Sequence, residues 1–254
     1  MAGEDFAVVW IVGGAIAFAG IIALVVWAVK AAAARAARIR AAFIEVGKGL
    51  GLGFIDRDDT DRPRRYLAFT PFGNGHTRRA DDILTGAIGG VGVELFTYQY
   101  SVTTSNGKTT TEQTYFTSVV ALEMPIDGRN LTLSKETLGK RIFDALGGSD
   151  IDFESDEFSR AFWVKCDERK FAYDVITPQM MDWLLPLAGN HHAWQWRGRT
   201  LMVTTRGRLR PEGCLDLLSY AQGLRDRLPR HVLPTAPAPS RPAPRRARAS
   251  RSST

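Results

Sequence analysis

The residues closest to enzyme chemistry are five carboxylates, Asp150, Asp152, Glu154, Asp156 and Glu157. Alternate positions on an extended segment share a face, so Asp152 and Glu154 are the pair that would share a cation or divide acid and base roles. That reading makes the chain a metal-assisted hydrolase. The spacing fits no calcium loop, however, and Ser155 followed by two acids also reads as a helix start, with the hydroxyl capping free amides and negative charge favoured in the first turn.

Other reactive side chains are scattered. His191 and His192 are adjacent, which in extended chain sends them to opposite faces, and neither HExxH nor CxxC occurs. No metal site is therefore expected. Cys166 and Cys214 lack the context of a nucleophile, Cys214 falls on an apolar helix face, and two cysteines with no paired framework fit a reducing compartment. The glycines at 47–53 and 86–92 match neither GxxxxGK[ST] nor GxGxxG, so they read as a helix stop and an inter-strand bend, and no cofactor is implied. The sequon at Asn130-Leu131-Thr132 matters only in a glycosylating lumen.

The net charge of +6 has a local origin. Residues 229–254 carry Arg230, Arg241, Arg245, Arg246, Arg248 and Arg251 with no acid. This stretch is Pro, Ala, Arg and Ser with almost no large apolar residue, too little to offset ordering entropy, and is expected to be a disordered tail. Arg241, Arg245, Arg246, Arg248 and Arg251 would meet anionic partners, with a lipid surface the nearest by effective concentration. Nucleic acid is disfavoured because no aromatic residues interleave to stack bases.

That expectation needs a membrane, and the N-terminus supplies one. Residues 6–29 are all Ala, Val, Ile, Leu, Phe, Trp or Gly. As a helix they would span roughly 36 Å, enough for a ~30 Å hydrocarbon core. Trp10 and Trp27 would stand about 25 Å apart, near the two headgroup levels. Glu4 and Asp5 precede the span, whereas Lys30, Arg35, Arg38 and Arg40 follow it, so the C-terminal domain is expected on the cytoplasmic side. A cleaved signal peptide is the competing reading, for which only Ala31 to Ala34 fits. Gly13, Ala17 and Gly20 share a face of the kind that lets two such helices approach, although small residues are common in any membrane helix.

Five segments follow from this partition: 1–5, the span 6–29, a basic helix and glycine linker 30–53, an α+β domain 54–228, and the tail 229–254. Within the domain a strand is expected at Tyr66 to Thr70, closed by a turn around Gly73, Asn74 and Gly75. Phe96, Tyr98, Tyr100 and Val102 alternate with Thr97, Gln99, Ser101 and Thr103, a strand with one apolar face. Asn106-Gly107 as a two-residue turn would set Tyr98 opposite Tyr115 on a returning strand, Thr110 to Met124. Helices are expected at Leu138 to Leu146, after Thr177-Pro178 ahead of Met180, Met181, Leu184 and Leu185, and after Pro211 with Cys214, Leu217, Leu218, Ala221, Leu224 and Leu228 inward. A short hairpin, Ala193 to Trp196 and Thr200 to Thr204, would turn at Arg197-Gly198. Strands first and helices later give an α+β fold with antiparallel hairpins and several short helices.

Three stretches carry a resemblance: Val93-Glu94-Leu95-Phe96-Thr97-Tyr98-Gln99-Tyr100; Asp150-Ile151-Asp152-Phe153-Glu154-Ser155-Asp156-Glu157-Phe158; and Phe171-Ala172-Tyr173-Asp174-Val175-Ile176-Thr177-Pro178 followed by Met180-Met181. In these the chain resembles a group of uncharacterised bacterial single-pass membrane proteins of unknown function, with an N-terminal helix and one soluble domain, over roughly Ala80 to Leu228. The resemblance implies topology and domain extent and transfers no catalytic residue. Taken together, the residues favour a non-enzymatic, membrane-tethered interaction module with the lipid bilayer and an unidentified protein as partners.

Overall fold

The computed structural model describes residues 2–135, 151 and 153–233, with the side chains of residue 18 and of those from 20 onward. The expected helix at 138–146, Asp150, Asp152, the Trp10 side chain and the tail arginines from 241 on lie outside the described residues.

One helix, α1 (Ala2–Leu50), runs unbroken for 49 residues. Its apolar part has a window of mean hydropathy 1.7 with no buried residue, long and apolar enough to cross a membrane. Trp27, 68% exposed, and Phe18, Leu24 and Val29 beside it project freely from the helix. Further along, the same helix enters the domain. Phe43 is fully buried and stacks on Phe54 at 6.5 Å, and Gly47 lies so close to the sheet that a Cβ there would stand 2.9 Å from Leu84.

The stretch read as a glycine linker is therefore helix plus cap. Helix stabilisation by tertiary contact outweighs the low propensity of Gly47 and Gly49, and only Gly51, at φ +71°, ends it. The amide of Leu52 donates to the Gly47 carbonyl (2.8 Å) and that of Gly51 to Lys48 (3.2 Å), the paired bonds of a Schellman cap.

Six antiparallel strands form one sheet: β1 (Gly53–Asp58), β2 (His76–Ile88), β3 (Val91–Ser105), β4 (Thr110–Lys135), β5 (Phe162–Lys165) and β6 (Ala193–Arg206). The long β4 is central. It pairs with β6 along one side, and with β3 then β5 along the other, since Thr117 to Leu122 and Thr132 to Leu133 each have partners on both sides. Short helices α2 (Asp61–Arg65), α3 (Asp156–Ala161), α4 (Arg169–Val175), α5 (Pro178–Leu184) and α6 (Cys214–Asp226) complete the α+β fold.

Both faces of the sheet are covered. On one, α1 and the later helices pack on Leu84, Val93, Leu95, Val120, Leu122 and Leu133; on the other, Tyr66, Phe69 and Phe72 cover Phe96, Tyr98 and Val119. This double coverage explains why Thr97, Gln99 and Ser101, expected on a solvated face, are buried. They are satisfied by polar partners: Thr97 accepts from the Leu209 amide at 3.0 Å and Gln99 from Arg79 at 2.8 Å.

Three local expectations change. Tyr66 to Thr70 is not a strand; Tyr66, Phe69 and Phe72 recur at intervals of three through tight turns, which points all three rings into the second core. The hairpin turn is centred on Gly107-Lys108. Asn106 uses its side chain to accept from the amides of Lys108 and Thr109, and Gly107 has φ +83°, so the register moves by two and Tyr100 faces Tyr115. Arg197-Gly198 does not turn a hairpin; β6 continues through it for 14 residues. Gly198, at φ +50°, pairs with Gly128, where a Cβ would fall 2.4 Å from the Trp196 ring, so both strands kink together. The same irregularity lets β4 run past Met124, because Pro125 falls between the paired stretches and its missing N–H removes no ladder bond.

The capping readings hold. Thr177 accepts from the Met180 amide at 3.3 Å with Pro178 at the first helical position, and Cys214, Leu217, Leu218, Ala221, Leu224 and Leu228 are all buried.

Candidate functional site

A cleft of about 1720 Å3 opens between the foot of α1, the bulged part of β2, and the connection from β6 to α6. From α1 come Arg38, Ile39 and Ala42, one helical face just above the buried Phe43. The connection from β6 supplies Arg206, Arg208 and Arg210. Gly207 turns it at φ +101°, its amide donates to Phe116 (2.9 Å) and its carbonyl accepts from Ser118 (3.0 Å). With Leu209 buried and bonded to Thr97, the arginines on either side must face outward. Arg208 lies 3.9 Å over the Phe116 ring.

An aromatic wall stands opposite. His192 packs at a tilt of 59° with its ring 4.6 Å from Tyr220, which lies 5.3 Å from Trp183, whose ring is covered by Arg227 at 4.5 Å. Burial first, then the neighbouring His191, holds the His192 imidazole below its ordinary range, so it stays neutral at neutral pH. Its Nδ1 is buried without a hydrogen-bond partner. His191 is exposed and left-handed at φ +56°, so this pair is not the extended chain expected.

Asp82 is the residue that sequence reasoning missed. Between Asp81↔Thr97 and Leu84↔Leu95 the strand β2 carries one residue more than β3, a bulge in which Asp82 takes φ +56°. Strict alternation would place Asp82 beside Ala80 among the aromatic rings; the bulge turns it into the cleft instead. Burial, then repulsion from Asp81, raises its carboxyl above the ordinary value, with Arg208 opposing. No period-two reading reveals such a bulge. The alternating Arg206, Arg208 and Arg210 were visible signals.

The other predicted residues are dispersed. Glu154, Asp156 and Glu157 are exposed, while Ile151 and Phe153 just before them are core; Ser155 caps α3 by accepting from the Phe158 amide at 3.2 Å. Lys30 and Arg35 are exposed on α1, and Arg40 lies 3.5 Å from Asp56 and 5.7 Å over Phe54. Arg38 alone of the juxtamembrane cations lines the cleft. Both cysteines are free thiols: Cys166 donates to the Arg129 carbonyl, and burial pushes Cys214 up to about 12, with Glu212 and Asp82 adding to it. Such a thiol is a poor nucleophile. Among the described residues no group of His, Cys, Asp or Glu is placed to hold a metal. What the cleft offers is binding and orientation, through arginines on one side, an unpaired carboxylate in the floor, and aromatic rings.

No family model matches the chain, and no curated protein does. Among solved structures it is similar to the crystal structure of the mycobacterial trehalose monomycolate transport factor A, TtfA, with a TM-score of 0.52 and 12% identity, over 79% of this chain and 98% of that chain. A likeness at that identity is one of fold alone, and it extends over nearly the whole of that chain.

Proposed function

We propose that this chain is a non-enzymatic interaction module held at the cytoplasmic membrane face, serving a membrane assembly through the cleft at the foot of its anchor. The observation that carries the reading is that α1 is both candidate span and core element: the helix that leaves Trp27 exposed buries Phe43 four turns later. A domain built onto its own anchor works at a fixed height above the bilayer. Lys30, Arg35, Arg38 and Arg40 favour anionic lipid by about 1 kcal/mol each near the surface, and the tail arginines Arg241, Arg245, Arg246, Arg248 and Arg251 extend the same attraction. The architecture held in common with a protein named as a transport factor supports a role beside a transporter rather than in bond-making.

The test is crosslinking of full-length protein in its own cells, followed by identification of captured proteins, against residues 1–50 expressed alone as the anchor without its domain. Recovery of one membrane protein that depends on the native domain supports the module. Absence of any enrichment over the anchor alone would count against it.

A further inference from the structure

We infer that the cleft beside α1 binds one phospholipid with a zwitterionic, primary-amine headgroup, its ammonium on Asp82 and its phosphate on the arginines of the rim. The inference rests on the reading of α1 as an anchor and of the cleft as the working surface.

The argument begins with charges that do not pair. Arg38, Arg206 and Arg210 have no acidic partner among the described residues, although Asp82, Glu212 and Asp216 line the same cleft. Elsewhere the chain pairs its charges readily, as where buried Arg62 bonds Asp58 at 2.9 Å and Glu94 at 3.0 Å. In the cleft the backbone fixes these groups without a direct ion pair, Asp82 by its bulge and Arg206 to Arg210 by the anchoring of Leu209, with Arg208 near enough to Asp82 to act on its charge but not bonded to it. A ligand that carries both signs satisfies both sets at once.

Asp82 decides against a simple anion. It is half-buried, receives no hydrogen bond from the protein, and sits in a left-handed conformation that non-glycine residues seldom adopt. An anionic headgroup would leave that carboxylate desolvated and unpaired, whereas an ammonium supplies donors and charge. A quaternary amine suits the site less, since it has no N–H for Asp82 and the Trp183 face is already taken by Arg227.

Size and place point to a lipid rather than free phosphate. The volume exceeds the ~300–1000 Å3 of ordinary small-ligand pockets. Its apolar wall includes Ile39, 43% exposed, with Leu187, Trp183 and Tyr220 across from it. Arg38 to Ala42 lie 9–13 residues beyond Val29, roughly 14–20 Å along the helix, so the mouth stands a short way above the ~5–8 Å headgroup layer and a bound lipid is one drawn partly out of the bilayer along α1. A lipid can enter along α1 with a chain against Ile39.

Full-length protein reconstituted in nanodiscs of phosphatidylcholine, with phosphatidylethanolamine and phosphatidylglycerol in equal minor amounts, is released in the mass spectrometer and its retained lipids are counted. Inorganic phosphate is titrated in a parallel sample. Phosphatidylethanolamine should be retained about tenfold over either other lipid, Asp82→Asn should bring that ratio to within twofold, and Arg210→Gln should weaken both phosphatidylethanolamine and phosphatidylglycerol. Asn tolerates positive φ, so the first variant keeps the bulge. Equal retention of the three lipids, an unchanged preference in Asp82→Asn, or phosphate displacing the lipid at low millimolar concentration overturns the inference. Alkaline extraction of native membranes separates the two readings. A protein stripped by it loses the anchor and this site together; one that stays but shows no preference loses the lipid site alone.

Discussion

Replacing Phe43 by Ala tests whether the end of the membrane helix is part of the domain. The ring is fully buried, stacked on Phe54, in a cluster with Leu52 and Leu84. Truncating a core Phe costs about 3–5 kcal/mol through lost burial and the cavity left behind. For a domain of this size each kcal/mol moves Tm by about 2–4 °C, so a drop of roughly 6–20 °C is expected. Ile39→Ala, one turn nearer the membrane on the half-exposed wall of the cleft, should change stability by less than about 1 kcal/mol. Thermal unfolding of the full-length protein in detergent, followed by tryptophan fluorescence, reads both. A Phe43→Ala protein that melts within 2 °C of the parent would refute the idea that α1 is a core element, and with it the fixed height of the domain.

Gly128→Ala should destabilise by about 1–3 kcal/mol, because its Cβ would enter the Trp196 ring, and denaturant titration checks it. Ser155→Ala removes the cap of α3 and should lower stability by about 1 kcal/mol with no change in any binding, which separates the cap from a catalytic role. At Asp58, burial opposes ionisation, but the amides of Thr60, Asp61 and Arg62 and the Arg62 side chain prevail and lower its carboxyl below 3.8. Its contribution is complete above pH 3.8 and is lost as pH falls through the lower native value, so the stability difference between parent and Asp58→Asn should shrink in that window. Asp82 has the opposite sign. Its raised carboxyl makes the charged form unfavourable in the fold, so Asp82→Asn should melt higher than the parent at pH 7 and lose that advantage below pH 3.8.

What was legible from the residues was what has a strong period or a strong cap. The run of apolar residues at 6–29, Thr177-Pro178, Ser155 and the spacing of Cys214, Leu217, Leu218 and Ala221 all declare helices through local physics, and each helix is found. Tertiary contact decided the rest. Gly47 and Gly49 read as a linker but lie in helix because the helix packs on Leu84; Arg197-Gly198 reads as a turn but is a kink shared with Gly128. The cleft was mostly hidden, since it is assembled from α1, β2, β6 and α6, and its central acid is aimed by a bulge that no alternation pattern encodes. Glu154 was the visible candidate, and it faces solvent.

The uninterrupted α1 also acts as a lever. From Val29 to Leu50 it extends roughly 32 Å beyond the apolar run, and a 20° tilt of the span would carry its far end sideways by about 11 Å. Bilayer thickness, which sets the tilt of a long apolar helix, thereby sets how far and in which direction the domain leans over the surrounding lipid. A thinner bilayer would tilt α1 and the domain built on it further from the membrane normal, and a thicker one would bring them back toward it.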